Sequence, residues 1–451
     1  MKIFRNCERG RISKSRRRGV KGAISVRSAV PGTPLEWPAK NGADRASAVL
    51  RRCRPRSGLR GACGGVKTCE FDRLLNVPLL VLTCLLGPVQ GSVADDQVVA
   101  WGANFFGQTN VLNHLTNIVA IAAGFGHSLA LRSDGRVIVW GSNTYGQTDM
   151  PVGLTNVIAI AAGDLHSLAL KRDGTVVAWG AGTNNSGEWP EFGQSVVPPG
   201  LSKVVAVSGG AGHSLALKSD GTVVAWGDNS YGQTDVPAAL RNIVAISASA
   251  SHNLALRSDG TVAAWGRSDG GLANVPPGLR NVVAVAAGSG HSLALRGDGT
   301  VVGWGATHVP EPITNVVAIA AANDISLALQ ADGTFYSWYF LNYFVDTGSP
   351  PPGLRNVVAI STKGGPGDGL ALIGDGPPAL MALLTNPRRG DASFSVSLPT
   401  RSGRVYALEF KDSLADPAWT GLPLLAGDGG LSTLTDSTAT GAQRFYRVRQ
   451  W

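Results

Sequence analysis

Histidines recur at matched positions along the chain, and imidazole is a common metal ligand and proton carrier near neutral pH. Each is followed by Ser or Asn and then by Leu, and the set is His127, His166, His213, His252 and His291. If the fold gathered these side chains, their ring nitrogens could hold a metal ion. However, Ile325 and Asp368 stand at the two remaining matched positions. We therefore expect structural histidines, each bonded to a neighbouring group, with no metal and no cofactor.

Carboxylates recur as well, in pairs of Asp and Gly. The aspartates are Asp134, Asp173, Asp220, Asp259, Asp298 and Asp332. Asp-Gly supplies the positive φ of a tight hairpin turn, so these are turn residues rather than an acid–base pair. No Ser-His-Asp order, glycine-rich phosphate loop or CxxC pair stands out from the repeat. We therefore expect no catalytic residues and a protein that is not an enzyme.

The elements that position these residues follow from a second marker, Trp-Gly. It occurs at Trp101, Trp140, Trp179, Trp226, Trp265 and Trp304, with a degenerate copy at Trp338. Successive copies lie 39, 39, 47, 39, 39 and 34 residues apart, and a fixed period of this length predicts a repeat architecture. Each unit holds three short apolar runs, in the second copy Asn156–Ala162, His166–Lys171 and Thr175–Gly180. Runs this short, bounded by Gly, Asp and Asn, are typical of strands.

The two ends of the repeat favour a closed ring over an open solenoid. The repeat starts with an isolated third strand, Val98–Gly102. It finishes with a first and a second strand, Asn356–Ser361 and Gly369–Ile373, and the orphan strand would complete that last unit. We predict an all-β chain in which residues 95–376 form a seven-bladed β-propeller with three-stranded blades. The matched His and Trp residues are expected to have a structural role in each blade.

The N-terminal region has a different composition. Residues 1–94 hold 19 of the 40 Lys and Arg and 5 of the 31 Asp and Glu, so the formal charge of +9 becomes −5 for residues 95–451. A phosphate backbone would be repelled by that remainder, and we expect no nucleic-acid partner. All the cysteines lie in this region, at Cys7, Cys53, Cys63, Cys69 and Cys84.

A secretory signal is predicted within this region. Arg73 precedes the apolar stretch Leu74–Leu86, and Ser92-Val93-Ala94 fits a cleavage site. We expect residues 1–72 to be a basic unstructured leader, arising from a start codon assigned too early or from a genuine long basic tail. Residues 73–94 would be a signal peptide cut after Ala94. The mature chain would then be secreted or held at a bacterial cell envelope, without a membrane span.

The repeat stops near Pro377, and residues 377–451 are expected to form a small β-sandwich-like module. Its alternating runs are Ala392–Leu398, Val405–Phe410 and Gln443–Arg449. In the last run Arg444, Arg447 and Arg449 alternate with Phe445 and Val448, which predicts a strand with one wet face rather than an anion site.

Candidate binding residues are the few that break the repeat, because a rigid scaffold presents its variable loops. The insertion at 182–199 carries Glu188, Trp189, Glu191 and Phe192, and a second departure carries Trp338, Tyr339 and Phe340. Exposed aromatics anchor interfaces well, although both sets could instead fill gaps left by irregular blades. Phe105, Phe106, Tyr145 and Tyr231 occupy the Asn-x-x-Gly-Gln loop and are expected to serve repeat packing or to line a face.

The motif Gly-x-x-His-Ser-Leu-Ala-Leu-x-x-Asp-Gly-x-Val-x-x-Trp-Gly, with Asn-x-x-Gly-Gln, resembles the regulator-of-chromosome-condensation repeat over 98–374. Its short period is similar to that of secreted bacterial members, which include the propeller-type β-lactamase inhibitor. The resemblance implies a monomeric binding module that recognises a protein, and a surface glycan is a second option. Exchange of nucleotide on a small GTPase, implied by the nuclear member, and a lyase or hydrolase on a propeller scaffold remain the alternatives.

Overall fold

The computed structural model describes residues 97–113, 115–310, 313–323, 325–339, 350–362, 368–374, 385–390, 392–413, 415–416, 418–439 and 444–451. The predicted leader and signal peptide, residues 1–94, lie outside the described residues, as does Phe340. The described chain is all-β, and its one helical turn is the 3₁₀ turn Asp269–Gly271. Within the described part, no helix has the length and apolar character to cross a membrane.

The repeat folds into three-stranded antiparallel sheets, which we number 1 to 7 along the chain and whose strands we call first, middle and third. Sheets 1 to 3 contain Ile118–Ala123, His127–Arg132 and Val137–Gly141; Val157–Ala162, His166–Lys171 and Val176–Gly180; and Val204–Gly209, His213–Lys218 and Val223–Gly227. Sheets 4 and 5 contain Ile243–Ala248, His252–Arg257 and Val262–Gly266; and Val282–Ala287, His291–Arg296 and Val301–Gly305. Sheets 6 and 7 contain Val316–Ala321, Ile325–Gln330 and Phe335–Tyr339; and Val357–Ser361, Gly369–Ile373 and Gln97–Trp101.

The third strand of sheet 7 comes from the start of the repeat. Gln97–Trp101 pairs antiparallel with Gly369–Ile373, the pairing that the sequence predicts for its two ends. Neighbouring sheets contact each other through their first strands, and sheet 7 contacts both sheet 6 and sheet 1. The isolated strand thus supplies the missing edge of an incomplete sheet.

The middle strands explain why the sheets pack so closely. Their His-Ser-Leu-Ala-Leu run is buried on both faces, with leucines such as Leu168 and Leu254 fully inaccessible to solvent. Small alanines let adjacent sheets approach, while each third-strand tryptophan packs against the preceding sheet, as Trp179 of sheet 2 does in a cluster with Leu129 and Val137 of sheet 1. Burial of this apolar surface is the main stabilising contribution to such a fold.

The Asp-Gly turns also join consecutive sheets. The amide of Val157, which begins sheet 2, donates to the carbonyl of Gly135 in the turn of sheet 1 at 3.2 Å. Gly135 has a φ of 80°, and a Cβ there would lie 3.2 Å from the Val157 nitrogen. Glycine is therefore required both for the turn and for the approach of the next sheet.

The C-terminal region forms two further sheets and two short pairings. Thr385–Arg389, Phe394–Pro399 and Leu431–Asp436 make one sheet, and Val405–Lys411 with Phe445–Gln450 makes the other, flanked by Thr420–Gly421 and Leu425–Ala426. A shared apolar cluster joins the two sheets and includes Val396, Tyr406 and Leu434. The remaining strands, Asn185–Glu188 and Glu191–Phe192, form a separate hairpin in the insertion after sheet 2.

Candidate functional site

Each sheet of the repeat has two ends of different construction. At the hairpin end of sheets 1 to 6, an Asp-Gly turn joins the middle strand to the third strand. At the loop end, the middle strand begins, the third strand finishes and the long connection to the next sheet starts. The matched histidines lie just inside the loop end, since each is the first residue of a middle strand.

These histidines link neighbouring sheets. Each Nε2 makes a hydrogen bond of 2.7–3.0 Å to a side chain of the next middle strand, and the partners in order are Ser167, Ser214, Asn253, Ser292 and Ser326. All of these histidines and their partners are buried. Sequence reasoning expected each histidine to bond to a neighbouring group, and the structure shows that this group is a side chain on the adjacent sheet. Among the described residues, no group of His, Cys, Asp and Glu has the arrangement of a metal site.

The residue after each matched histidine and the third-strand tryptophan also bind the long connections. The carbonyl of Gln108 accepts hydrogen bonds from Ser128 Oγ at 3.1 Å and Trp140 Nε1 at 2.9 Å. Equivalent pairs of donors meet the carbonyls of Gln147, Gln194, Gln233 and Leu272. The matched Ser and Trp residues therefore hold each loop against the following sheet.

Burial keeps two of the histidines uncharged. Desolvation lowers the pKa of His252 and of His291 from 6.5 to about 4, and for His252 the nearby His291 and His213 lower it further. A neutral imidazole in this position serves as a hydrogen-bonding link, since charging it inside the protein is unfavourable.

Above this buried layer, four loops present aromatic side chains at one matched position. We call Phe106, Tyr145, Phe192 and Tyr231 the aromatic row, and they follow the third strands of sheets 7, 1, 2 and 3. In each loop the backbone amide of the aromatic residue donates to the side-chain oxygen of a buried glutamine two positions later, at 2.8–3.0 Å. The glutamines are Gln108, Gln147, Gln194 and Gln233. These bonds fix the backbone beneath each ring.

The rings of the row remain accessible. Phe106, Tyr145 and Tyr231 are 48%, 39% and 51% exposed, and Phe192 is half-buried. The neighbouring Phe105 is 83% exposed, and Trp189, at the tip of the insertion hairpin, is 61% exposed. Trp189 meets the ring of Phe192 edge-on at a centroid distance of 6.2 Å. The insertion therefore extends the aromatic surface, which places Trp189 and Phe192 beside Glu188 and Glu191.

The two ends of the sheets also differ in charge. The described acidic residues of the loop end are Asp149, Asp164, Glu188, Glu191, Asp228, Asp235, Asp269 and Asp368, against one basic residue, Arg267. The basic residues of the hairpin end are Arg132, Arg136, Lys171, Arg172, Lys203, Lys218, Arg241, Arg257, Arg280, Arg296 and Arg355, against the six aspartates of the Asp-Gly turns. The aromatic row thus lies in an acidic setting, opposite a basic end.

The second predicted binding set is placed differently. Trp338 belongs to the third strand of sheet 6 and is 6% exposed in a cluster with Leu293 and Ala328. This puts Trp338 in the core rather than on a binding surface, because it occupies the repeat position of the other tryptophans. Tyr339 is half-buried and packs beside Trp101 and Phe335, while Phe340 lies outside the described residues.

The C-terminal strands cover part of the hairpin end, which sequence reasoning missed. Val405 packs in one cluster with Val244, and Ala407 and Trp451 pack in another with Val283. Two hydrogen bonds support this contact, from the Leu424 amide to the Ser258 carbonyl at 2.9 Å and from Arg449 Nη1 to the Gly297 carbonyl at 2.6 Å.

A groove of about 750 Å³ runs along this contact. On its C-terminal wall the buried Glu409 pairs with Arg447 Nε at 2.5 Å and Arg449 Nη1 at 3.7 Å, and Arg447 also lies 4.4 Å from the centre of the Trp419 ring. The arginine-bearing face of the last strand was expected to be wet. It is half-buried instead, because these arginines neutralise Glu409 and reach the turn of sheet 5.

Comparisons with known proteins agree with this architecture. Five consecutive segments match the Regulator of chromosome condensation (RCC1) repeat, at residues 118–147, 157–188, 204–233, 243–271 and 282–307. Prp20p from Saccharomyces cerevisiae, characterised for its binding to Gsp1p and histones, is a similar solved structure with 21% identity, a TM-score of 0.51, and coverage of 63% of this chain and 93% of that chain. A structure of Kap60 bound to yeast RCC1 (Prp20) gives 22% identity, a TM-score of 0.50, and coverage of 62% and 90%. A comparison with curated proteins gives no match.

Proposed function

We propose that this chain, whose segments between residues 118 and 307 belong to the regulator of chromosome condensation (RCC1) repeat family, is an exported, non-enzymatic binding protein. Its sheets 1 to 7 would be the blades of one closed propeller over residues 95–376, with residues 377–451 as a C-terminal β module. The pairing of Gln97–Trp101 with Gly369–Ile373 and the contact between sheets 7 and 1 support that closure.

The observation that carries the binding function is the aromatic row. Its side chains stand at matched loop positions on successive sheets, are accessible, and rest on a backbone fixed by buried glutamines. Rigid aromatic side chains contribute large contact areas to protein interfaces without much loss of conformational entropy on binding. We assign Glu188, Trp189, Glu191 and Phe192 to the same surface, and the partner to a protein or a surface component of the cell envelope.

A capture experiment with matched variants tests this assignment. The immobilised protein is incubated with envelope and culture-medium extracts of its host, alongside the variants Trp189→Ser and Val152→Ser. Val152 is fully exposed in a connection that leads to the hairpin end, so it controls for the loss of an exposed apolar side chain. We expect Trp189→Ser to weaken capture of a specific partner about tenfold or more and Val152→Ser to leave it unchanged. Equal capture by all three proteins would contradict the proposed binding surface.

Export is a separate part of the proposal. It rests on the sequence of residues 73–94, with Arg73, an apolar core and the small residues before Asp95. N-terminal sequencing of the protein purified from its host should give a first residue of Asp95 in the envelope or medium fraction. An intact basic N-terminus in the cell interior would overturn export.

A further inference from the structure

The loop end contains its own example of how a ring of the aromatic row accepts a cation. The guanidinium carbon of Arg267, the first residue after the third strand of sheet 4, lies 5.2 Å from the centre of the Tyr231 ring. The same guanidinium is held by Asp269, with Nε and Oδ2 at 3.1 Å. A cation over an aromatic face and beside a carboxylate is a favourable arrangement.

The matched positions beside the other rings carry no cation. The residues equivalent to Arg267 are Ser142 beside Phe106, Ala181 beside Tyr145 and Asp228 beside Phe192. The geometry is repeated at Phe106 and Phe192, because a Cβ on Gly126 would lie 2.8 Å from Phe106 Cδ2 and 3.4 Å from Ser142 Cβ. On Gly212, a Cβ would likewise lie 2.9 Å from Phe192 Cδ2 and 3.3 Å from Asp228 Cβ.

The charged residues around these rings are mostly acidic. Acidic residues, including Asp149, Asp164 and Glu191, predominate at the loop end, and Arg267 is its basic residue within the described chain. Such a surface attracts cationic side chains and raises their rate of association, while it disfavours acidic partners. Exposed rings at an end of the sheets where carboxylates predominate therefore match the side chains of Arg and Lys.

We propose that the rings of Phe106 and Tyr145 receive Arg or Lys side chains from a basic polypeptide segment of the partner, as Tyr231 receives Arg267 within the chain. This proposal rests on the proposed function and names the chemistry of its partner. Phe106 and Tyr145 follow adjacent sheets, so two cationic side chains of one extended segment would bind over these two rings. At Phe192, the carboxylate of Asp228 would lie beside a cation bound over the ring.

A fluorescent hepta-arginine peptide tests the proposal, with hepta-citrulline as the uncharged analogue of the same shape. Binding to the purified protein is measured by fluorescence anisotropy at about 50 mM and 300 mM salt. We expect the arginine peptide to bind, the citrulline peptide to bind at least tenfold more weakly, and added salt to weaken the arginine complex. Equal affinity for the two peptides, or binding of neither, overturns the proposal.

Variants test which rings bind the cationic side chains. Replacing Phe106 and Tyr145 by Leu preserves apolar bulk and removes the aromatic face, and we expect about a tenfold loss of peptide affinity for the double variant. Arg267→Ala exposes the face of the Tyr231 ring and should tighten binding about two- to fivefold, provided that its urea unfolding midpoint matches that of the parent protein. If the double variant and Arg267→Ala both bind like the parent protein, the cations bind elsewhere and the proposal is overturned. Loss of native-partner capture by Trp189→Ser in the same preparations would still support the proposed function.

Discussion

The loop end and the hairpin end terminate the same strands, yet they differ in almost every other respect. In sheets 2 to 6 the hairpin end repeats one solution, in which an aspartate accepts hydrogen bonds from the amide and hydroxyl of a threonine two residues later, as Asp220 does from Thr222. In sheet 1 the amide of Arg136 donates the matching bond to Asp134. The loop end keeps a buried layer of histidines, serines and glutamines but varies the residues above it. Uniformity at one end and variation at the other are expected of a rigid scaffold that presents variable loops, which is the basis of the binding function proposed above.

The comparison extends to what covers each end. Equivalent valines at the second position of the first strands are buried under the C-terminal strands in sheets 3, 4 and 5, as Val205, Val244 and Val283. Their counterpart in sheet 1, Val119, is 37% exposed. The basic hairpin end is thus partly occupied by the chain itself, whereas the acidic, aromatic loop end is available to a partner.

Lowering the pH should produce the largest change in the stability of the protein, and the loop end should lose stability before the hairpin end. The native pKa of about 4 for His252 and His291 lies below the ordinary 6.5, so the unfolded chain takes up protons first as the pH falls. The contribution of these histidines to the free energy of unfolding is therefore fully present above pH 6.5 and declines between pH 6.5 and 4. The total loss is roughly 3 kcal/mol for each histidine. Urea unfolding at pH 7.5, 5.5 and 4.5 should show this decline.

Two controls tie the effect to the buried histidines. His308→Gln alters an exposed histidine and should leave the pH profile unchanged. Hydrogen bonds from Thr175 and Thr222 lower the pKa of Asp173 and Asp220 to about 2, so the contribution of these turns persists until the pH falls below about 3.8. Amide exchange at pH 5 should rise in the first residues of the middle strands before it rises in the Asp-Gly turns. A flat stability profile from pH 7 to 4.5 would refute this prediction.

A pair of aspartate substitutions tests whether the C-terminal strands cover the hairpin end. Val244→Asp would bury a carboxylate against Val405 and should destabilise the protein by about 3 kcal/mol or more. Val119→Asp, at the matched but exposed position, should change stability by less than about 0.5 kcal/mol. Both values come from chemical denaturation at pH 7.5. Similar effects of the two substitutions would show that the C-terminal strands do not shield Val244 in solution.

Much of the repeat could be predicted from the sequence because its signals are local. The apolar runs and Asp-Gly turns define strands, and repetition fixes their register, so Gly369–Ile373 was predicted with its observed bounds. The histidine partners were harder, since the bond from His127 to Ser167 joins residues 40 positions apart on different sheets. Only the packing of adjacent sheets brings them together.

The C-terminal region shows where local signals end. Strand alternation placed Arg447 and Arg449 on one face, but whether that face meets water depends on the surface it packs against. The buried Glu409 and the turn of sheet 5 decide this, and neither has a local sequence signature. Trp338 was assigned to a binding surface although its repeat position was recognised, because the cluster of aromatic residues around it does not show locally which rings are buried.

The smallest predicted effect on stability concerns how the loop end holds its rings. Gln147→Leu removes the acceptor of the Tyr145 amide and the donor to Ser142 Oγ, and should destabilise the protein by about 1 kcal/mol. Amide exchange in residues 143–149 should accelerate, and hepta-arginine should bind more weakly although Tyr145 is intact, because the loop must then be ordered on binding. Gln330→Leu, a partly exposed glutamine at the hairpin end that bonds the Thr314 carbonyl, should change neither exchange in 143–149 nor peptide affinity. Unchanged exchange in Gln147→Leu would mean that the loop does not depend on this glutamine, and the fixed backbone beneath the aromatic row would then need another cause.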